Sequence, residues 1–352
     1  LYVLEKAGLE VSRASIMHIN RQCRYPDLSA LFTLADVTGQ AREQFPVIEA
    51  NLPGMRRLQE QPPEPDIRIG RHCTRSYTCA FYDYCWQDVD GLTIYDIPRL
   101  KRDKEEQLEE ADALYLSDIP AGVILTDTQQ AFVDFINREQ VTIDKAAIRA
   151  ELERLEYPLY FFDFETIDYA IPKFEGCRPY DHVPFQYSCH VLHADGTLEH
   201  HEYLHTLPGD PRPGLVEKLL KDIGTTGSLV AYFAQFERLR LEELAEAFPE
   251  HAGRLLDLAG RLWDQLEIFR RYYRHYGFGK SNGLKSVLPV VVPELSYTDL
   301  VVQDGGQAQV AWEQMIATED PERKKALYGQ LLEYCALDTL AMVRMQEVLQ
   351  EI

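Results

Sequence analysis

Between Leu159 and Thr166 the chain reads LYFFDFET, an apolar run that carries two carboxylates two positions apart. A run this short suits a buried strand, and in a strand residues i and i+2 share a face. Asp163 and Glu165 therefore stand side by side, flanked by Phe161, Phe162 and Phe164. Two like charges in apolar surroundings are costly unless something compensates them, and clustered carboxylates are well suited to hard divalent cations. An edge strand with a solvated acidic face would avoid that cost. The flanking Phe residues argue instead for an interior strand.

The surrounding text supplies neighbours for such a strand. PFQYSCHVLHADG runs to a turn at Asp195-Gly196, and LEHHEYLH returns, which predicts a hairpin. SLVAYFA reads as another strand and FERLRLEELAEAF as the helix after it. AGRLLDLAGRLWDQLEIFRRYYRHYG reads as one longer helical stretch ending near Gly277, and GLKSVLPVVVPELSYTDL is punctuated by Pro289 and Pro293. A last long helix is predicted from about Pro321. Strands first, with helices interleaved later, predict a mixed α/β fold in which helices pack on a mixed sheet.

Two further pieces carry acids. Tyr334 and Asp338 are four apart in the last helix and so share a face, among Leu332, Cys335, Leu340 and Met342. Glu237 falls near a helix start, where an acid can also serve simply as a favourable dipole contact. In order, these pieces are DFET, an acid after an aromatic at a strand-to-helix junction, and YxxxD. They resemble the three exonuclease motifs of the DEDD superfamily in its tyrosine variant. The longer segments FFDFETIDYAIPKFEGCRPYDHVPFQYSCH, LKSVLPVVVPELSYTDL and EYCALDTLAMV are similar to an uncharacterised bacterial DEDD-like domain, so the resemblance covers nearly all of Tyr157 to Ile352. It implies an RNase H-like domain acting as a metal-dependent nuclease of the 3′–5′ exonuclease kind, hydrolysing DNA or RNA with two Mg²⁺ or Mn²⁺ ions. It further implies that Asp163 bridges the metals, that Glu165 and Asp338 complete the first, that Glu237 acts through waters on the second, and that Tyr334 orients or helps deprotonate the attacking water. At Glu237 the chain departs from the family pattern, which has Asp there. The side chain is one methylene longer, which affects metal geometry.

Arg270, Arg271, Tyr272, Tyr273, Arg274 and His275, followed by Lys280 and Lys285, mix cations with rings. That mixture suits a single-stranded nucleic acid, whose phosphates need charge and whose bases need stacking partners. An amphipathic helix with an ordinary solvated face accounts for it equally well.

Upstream, Cys73, Cys79 and Cys85 are evenly spaced among His72, Tyr77, Phe81, Tyr84 and Trp86. The thiols suit an iron–sulfur cluster, zinc, or no ligand at all. The segment resembles the C-terminal cysteine triplet of RecB-like nucleases with an iron–sulfur staple. In those a fourth Cys lies far upstream, before the nuclease core. Cys23 is a candidate substitute, and Cys177, Cys189 and Cys335 read as core packing. The chain contains no complete RecB-like core and opens in what reads as mid-helix, so it is expected to be the C-terminal part of a longer protein.

The expected organisation is therefore a cysteine-rich, mostly helical RecB-like remnant over 1–90, an acidic helical linker over 91–155, and the RNase H-like domain over 156–352. RLKRDKEEQLEEADAL, in the middle segment, has no sustained apolar face and reads as a solvated helix. A formal net charge of -21 (36 Lys and Arg against 57 Asp and Glu) weighs against nucleic-acid binding, although binding depends on local patches rather than on the total. No apolar run is long enough to span a membrane, and seven Cys with three in a regular cluster suggest metal binding in a reducing compartment rather than a disulfide scaffold, with the cytoplasm as the default. Two rival readings remain: a catalytically decayed nucleic-acid-binding or adaptor module, and a metal-stapled appendage of a RecB-like enzyme.

Overall fold

The computed structural model describes residues 1–60 and 64–352. It divides into two compact units, Leu1–Asp90 with Tyr169–Asp181, and Gly91–Asp168 with His182–Ile352.

The first unit has a hairpin of Ser15–Ile19 and Phe32–Asp36 beside short helices and the longer helix Phe45–Glu60. Its buried apolar side chains include Leu31, Cys23 and Cys73. The excursion Tyr169–Asp181 is tied to the N-terminal loop by backbone bonds: Tyr25 N–H donates to Cys177 O at 3.0 Å, and Gly176 N–H donates to Tyr25 O at 3.1 Å.

In the second unit five strands form one sheet: β1 (Leu159–Ile167), β2 (Val183–Leu192), β3 (Leu198–Leu204), β4 (Ser228–Ala231) and β5 (Leu262–Asp264). Their order is β3-β2-β1-β4-β5, with β1 in the middle. The β1–β2 and β2–β3 pairs are antiparallel, and β1–β4 and β4–β5 are parallel. The β2–β3 hairpin turns at Gly196, whose φ of 84° suits a residue without Cβ. The fold is thus mixed α/β, a mixed five-stranded sheet flanked by helices, as expected for an RNase H-like domain.

β1 divides its side chains between two cores. Tyr160, Phe162 and Phe164 pack against α1 (Arg212–Asp222), α2 (Ala234–Ala247) and α3 (Ala252–Gly260) through Leu215, Leu219, Leu241 and Leu255. Leu159 and Phe161 face the other way. They pack with Ile268 of α4 (Leu266–Arg271), Val287 of α5 (Leu284–Val291) and Met342 and Met345 of the last helix. That helix, α7 (Pro321–Gln350), starts at Asp320, whose side chain accepts from the N–H groups of Glu322 and Arg323, and it packs on α6 (Gly305–Ala317). Asp163 and Glu165 continue the Leu159–Phe161 row toward α7. β4 pairs with β1 only from Leu159 to Phe161, so both acids run past its end. In open sheets with parallel strands this is where clefts form.

Two expectations need correction. The stretch from Ala252 to Gly277 is not one helix. It breaks into α3, β5 and α4, a strand Tyr273–His275 paired antiparallel with Val141–Ile143, and a 3-10 turn Tyr276–Phe278. Leu262–Asp264 extends because it completes the sheet beside β4, where pairing outweighs local helix preference. The acidic stretch around Arg102–Glu110 is not a bare solvated connector either. Leu108 is fully buried in a small core with Ile94, Ile97, Leu116 and Val133. The apolar partners lie outside the charged segment itself, so its own periodicity does not reveal them. Helix Asp127–Asn137 is fixed by a capping box between Thr126 and Gln129, and the Gln129 amide also donates to Pro98 O at 3.1 Å.

The small core is directly testable. Leu108→Ala should destabilise the full chain by about 2–5 kcal/mol, the usual range for truncating a buried Leu. Urea unfolding would check it, and an unchanged midpoint would mean the segment is a free connector after all.

Candidate metal centre and cleft

Of the acids expected from the sequence, Asp163, Glu165 and Asp338 meet on one side of the sheet, and Glu237 approaches from α2, which packs on the other. Asp163 and Glu165 lie on β1, Asp338 and Tyr334 on the facing side of α7, and Glu237 in the first turn of α2. Asp163 opens partly to a cleft of ≈ 760 Å³, whose wall also includes Glu165, Tyr334 and Asp338. That volume is within the roughly 300–1,000 Å³ usual for ligand sites. Glu165, Glu237 and Asp338 are buried.

The group is electrostatically strained. Burial, then the Asp338 charge, pushes the Asp163 carboxyl well above the usual carboxylate range, with Lys285 pulling it back. Burial also raises Glu165, followed by the charges of Asp163 and Asp338. For Glu237 burial again leads, then Asp163 and Glu165, offset by Arg240 and a hydrogen bond from the Phe164 N–H. Asp338 is pushed up to about 6 by burial, against hydrogen bonds from Tyr297 and Tyr334 and the Lys285 charge.

Two residues that organise the site lie in the segment from Leu284 onward. Tyr297 donates its hydroxyl to Asp338 Oδ1 at 2.5 Å. Tyr297 was not among the candidate site residues; it stands in the SYTDL segment, but nothing in its spacing marks it as a partner of Asp338. Lys285 belongs by sequence to the basic-aromatic row expected to hold substrate. It sits instead among the acids: its Nζ donates to Gln303 O and to Tyr334 Oη at 3.3 Å, and lies 5.1–5.2 Å from the ring centroids of Tyr334 and Tyr297.

The other basic candidates separate. Arg270 and Lys280 line the cleft. Arg270 also pairs with Glu267 at 2.9 Å, and Lys280 with Asp96 at 2.6 Å. Arg271 pairs with Glu267 at 2.7 Å, and the Arg274 guanidinium lies 4.5 Å from the Phe135 ring centroid. Neither Arg271 nor Arg274 is on the cleft wall; Arg271 ends α4, and the predicted single helix breaks after it, which carries Arg274 onto the strand Tyr273–His275.

Divalent cations fit this donor set. Ligand atoms of Asp163, Glu165 and Cys335 lie within 4.8 Å of one another. Glu237 Oε2 is buried with no hydrogen-bond partner, an unsatisfied charged oxygen of the kind that calls for a counter-ion. The oxygens suit Mg²⁺ or Mn²⁺. Cys335 does not fit that role: burial first, then the surrounding carboxylates, hold its thiol well above its ordinary value. It contacts Asp163 O at 4.0 Å and packs as a neutral thiol. Glu237, expected to act on a second metal, is absent from the cleft wall.

In the first unit all three clustered cysteines are free. Cys79 N–H donates to Cys73 O at 2.7 Å, and burial followed by the neighbouring Cys79 and Cys73 raises the Cys85 thiol. Among the described residues, though, the one set of three such ligand atoms within 4.8 Å of each other is the Asp163 group. Thiolates on one tetrahedral zinc would stand about 3.8 Å apart, given Zn–S bonds near 2.3 Å. Cys23 donates its Sγ to Asp27 O at 3.1 Å, within its own loop.

Fold and site together define a mixed α/β domain with a buried carboxylate cluster at the mouth of a cleft, at the ends of its parallel strands. A family described as "Domain of unknown function (DUF2779)" matches residues 160–286, a span that includes Asp163, Glu165, Glu237 and Lys285 but not Tyr297, Tyr334 or Asp338. No curated protein and no solved structure matches the chain. Among the described residues, no helix is long and apolar enough to cross a membrane.

The raised carboxyl values set the pH dependence of the metal-free protein. Each of these groups holds its proton more tightly folded than unfolded. Their contribution is therefore fully present below the ordinary Asp value of 3.8 and is lost as pH rises through the Asp338 value of about 6. In EDTA the melting temperature should be higher near pH 5 than near pH 8. Asp163→Asn should raise it at pH 8, and Mn²⁺ should stabilise the parent more than the variant. Equal melting temperatures for parent and variant across this range would refute the repulsion.

Proposed function

We propose that the chain is a metal-dependent nuclease, of the 3′–5′ exonuclease kind, acting on single-stranded ends of DNA or RNA. The observation that carries this reading is the convergence of Asp163, Glu165 and Asp338 on the wall of an open cleft that Arg270 and Lys280 also line, with Glu237 and its buried, unpartnered oxygen close to the two strand acids. The resemblance of its three motifs to the DEDD superfamily supports it further. Asp163, Glu165 and Asp338 would hold Mg²⁺ or Mn²⁺, with Glu237 behind them. The cations would offset the charge that develops on the phosphate oxygens when the phosphodiester is hydrolysed.

The rest falls to side chains of this chain. In the metal-free protein burial and then Asp338 raise the Tyr334 hydroxyl far above its ordinary value, which favours the neutral phenol. It would therefore orient the attacking water rather than take its proton. Tyr297 holds Asp338 in place through its hydroxyl. Lys285 offsets part of the carboxylate charge before any cation arrives. Arg270 and Lys280 would hold phosphates of the incoming strand.

We further propose an iron–sulfur cluster at Cys73, Cys79 and Cys85, on their even spacing and their resemblance to the cysteine triplet of RecB-like nucleases. Free thiols fit a cytoplasmic setting. Anaerobically purified protein should absorb in the visible range and lose that band in a Cys79→Ala variant; colourless protein holding stoichiometric zinc would reverse the assignment.

One observation favours the rival reading of a decayed, binding-only module: Glu237 does not reach the cleft wall. Mutation separates the two. Asp163→Asn should abolish Mn²⁺-dependent cleavage of labelled single strands. Tyr334→Phe should lose less, within about 10²–10⁴-fold. Glu237→Asp should lower activity if the site works with Glu, and raise it from near zero if the site has decayed. An Asp163→Asn protein that cleaves like its parent would mean the chemistry lies elsewhere.

A further inference from the structure

One residue on the cleft wall combines two disadvantages. Phe233 has φ 74° and ψ 56°, the left-handed region that a bulky side chain rarely enters. The residue is also 47% exposed, so burial does not offset the strain. The turn from β4 into α2 needs some residue in this conformation, but Gly or Asn would adopt it with less strain. The backbone is held there from outside: the Phe233 N–H donates to Asp264 Oδ1 at 3.0 Å, and the same oxygen accepts the Leu266 N–H at 3.1 Å. Strain maintained by a dedicated anchor is characteristic of functional positions.

The neighbours indicate what the ring is for. Phe233 shares the cleft with Asp163, Glu165 and Asp338, and the Arg270 guanidinium lies 6.0 Å from its centroid. Phe236, also on the wall, is engaged by the Arg240 guanidinium at 4.8 Å and by His182 at 5.5 Å. A flat, exposed ring beside a cation, at the mouth of a carboxylate centre, matches a ligand with a flat ring next to a phosphate.

We infer that Phe233 is a stacking platform for a nucleobase of the strand held in the cleft, positioned by Asp264. The inference rests on the nuclease reading and adds to it a dependence on bases, not phosphates alone. Phe233→Asn separates a functional ring from a structural one, since Asn tolerates the left-handed conformation. A ring kept for ligand should leave the melting temperature unchanged or higher when replaced; a ring kept for the fold should lower it.

The test uses the full chain with Ca²⁺ and fluorescein-labelled eight-nucleotide single strands, as DNA and as RNA. Each is paired with a twin lacking bases at its last two 3′ positions, and binding is read by anisotropy. The parent and Phe233→Tyr should prefer the base-bearing strand by roughly 5- to 150-fold, the range of one base–aromatic stack. Phe233→Asn should bind both strands alike, with its melting temperature intact. Equal binding of both strands by the parent would overturn the inference, as would a Phe233→Asn protein that keeps the preference or melts lower. In those cases, Mn²⁺-dependent cleavage of both strands by the parent would leave the nuclease reading standing. Failure of the parent to bind or cleave any strand would overturn both.

Discussion

The repulsion among carboxylates on β1, α2 and α7 is the constraint on which the rest of this unit depends. A central strand would ordinarily be apolar on both faces, and β1 is so from Leu159 to Phe162. Past the end of β4 its inward face turns acidic, and the surrounding elements answer that change. α7 brings Asp338 and Tyr334 up to the strand, Tyr297 donates to Asp338, and Lys285 places an ammonium among the acids. None of these contacts would be worth its ordering entropy around an apolar strand. Together they keep charged groups close that would otherwise separate or take up protons.

Much of this was legible because it is written in short-range patterns. The i, i+2 acids of LYFFDFET, the Asp195-Gly196 turn and the four-residue spacing of Tyr334 and Asp338 each fix a local geometry, and the sheet and last helix follow them. What was not legible depends on partners distant in sequence. Leu262–Asp264 looks helical on its own text and becomes a strand because β4 has an open edge. Leu108 looks solvated in its charged segment and is buried by Ile94 and Val133. Tyr297 and Lys285 are ordinary residues until α5 and the following loop carry them to α7. Arg274 read as one of a basic row only while that row was taken as a single helix.

The cluster is also asymmetric. Asp163 faces the cleft, whereas Glu237 is sealed, with its Oε2 buried and unpartnered. The longer side chain does not extend Glu237 into the cleft; it sits in the interior behind the strand acids. Cleft-facing and sealed acids are therefore different residues here.

The excursion Tyr169–Asp181 bears on how the chain is made. It leaves β1, completes the N-terminal unit through Tyr25, Gly176 and Cys177, and returns to begin β2. Arg24 and Gly176, hydrogen-bonded at 2.7 Å, are 152 residues apart. On a ribosome that emits the chain from its N-terminus, the first ninety residues must wait for β1 to be synthesised before their last piece arrives. No single cut in the sequence yields either unit whole: a fragment ending at residue 90 lacks part of its own unit, and one beginning at residue 91 carries a loop whose partners are gone.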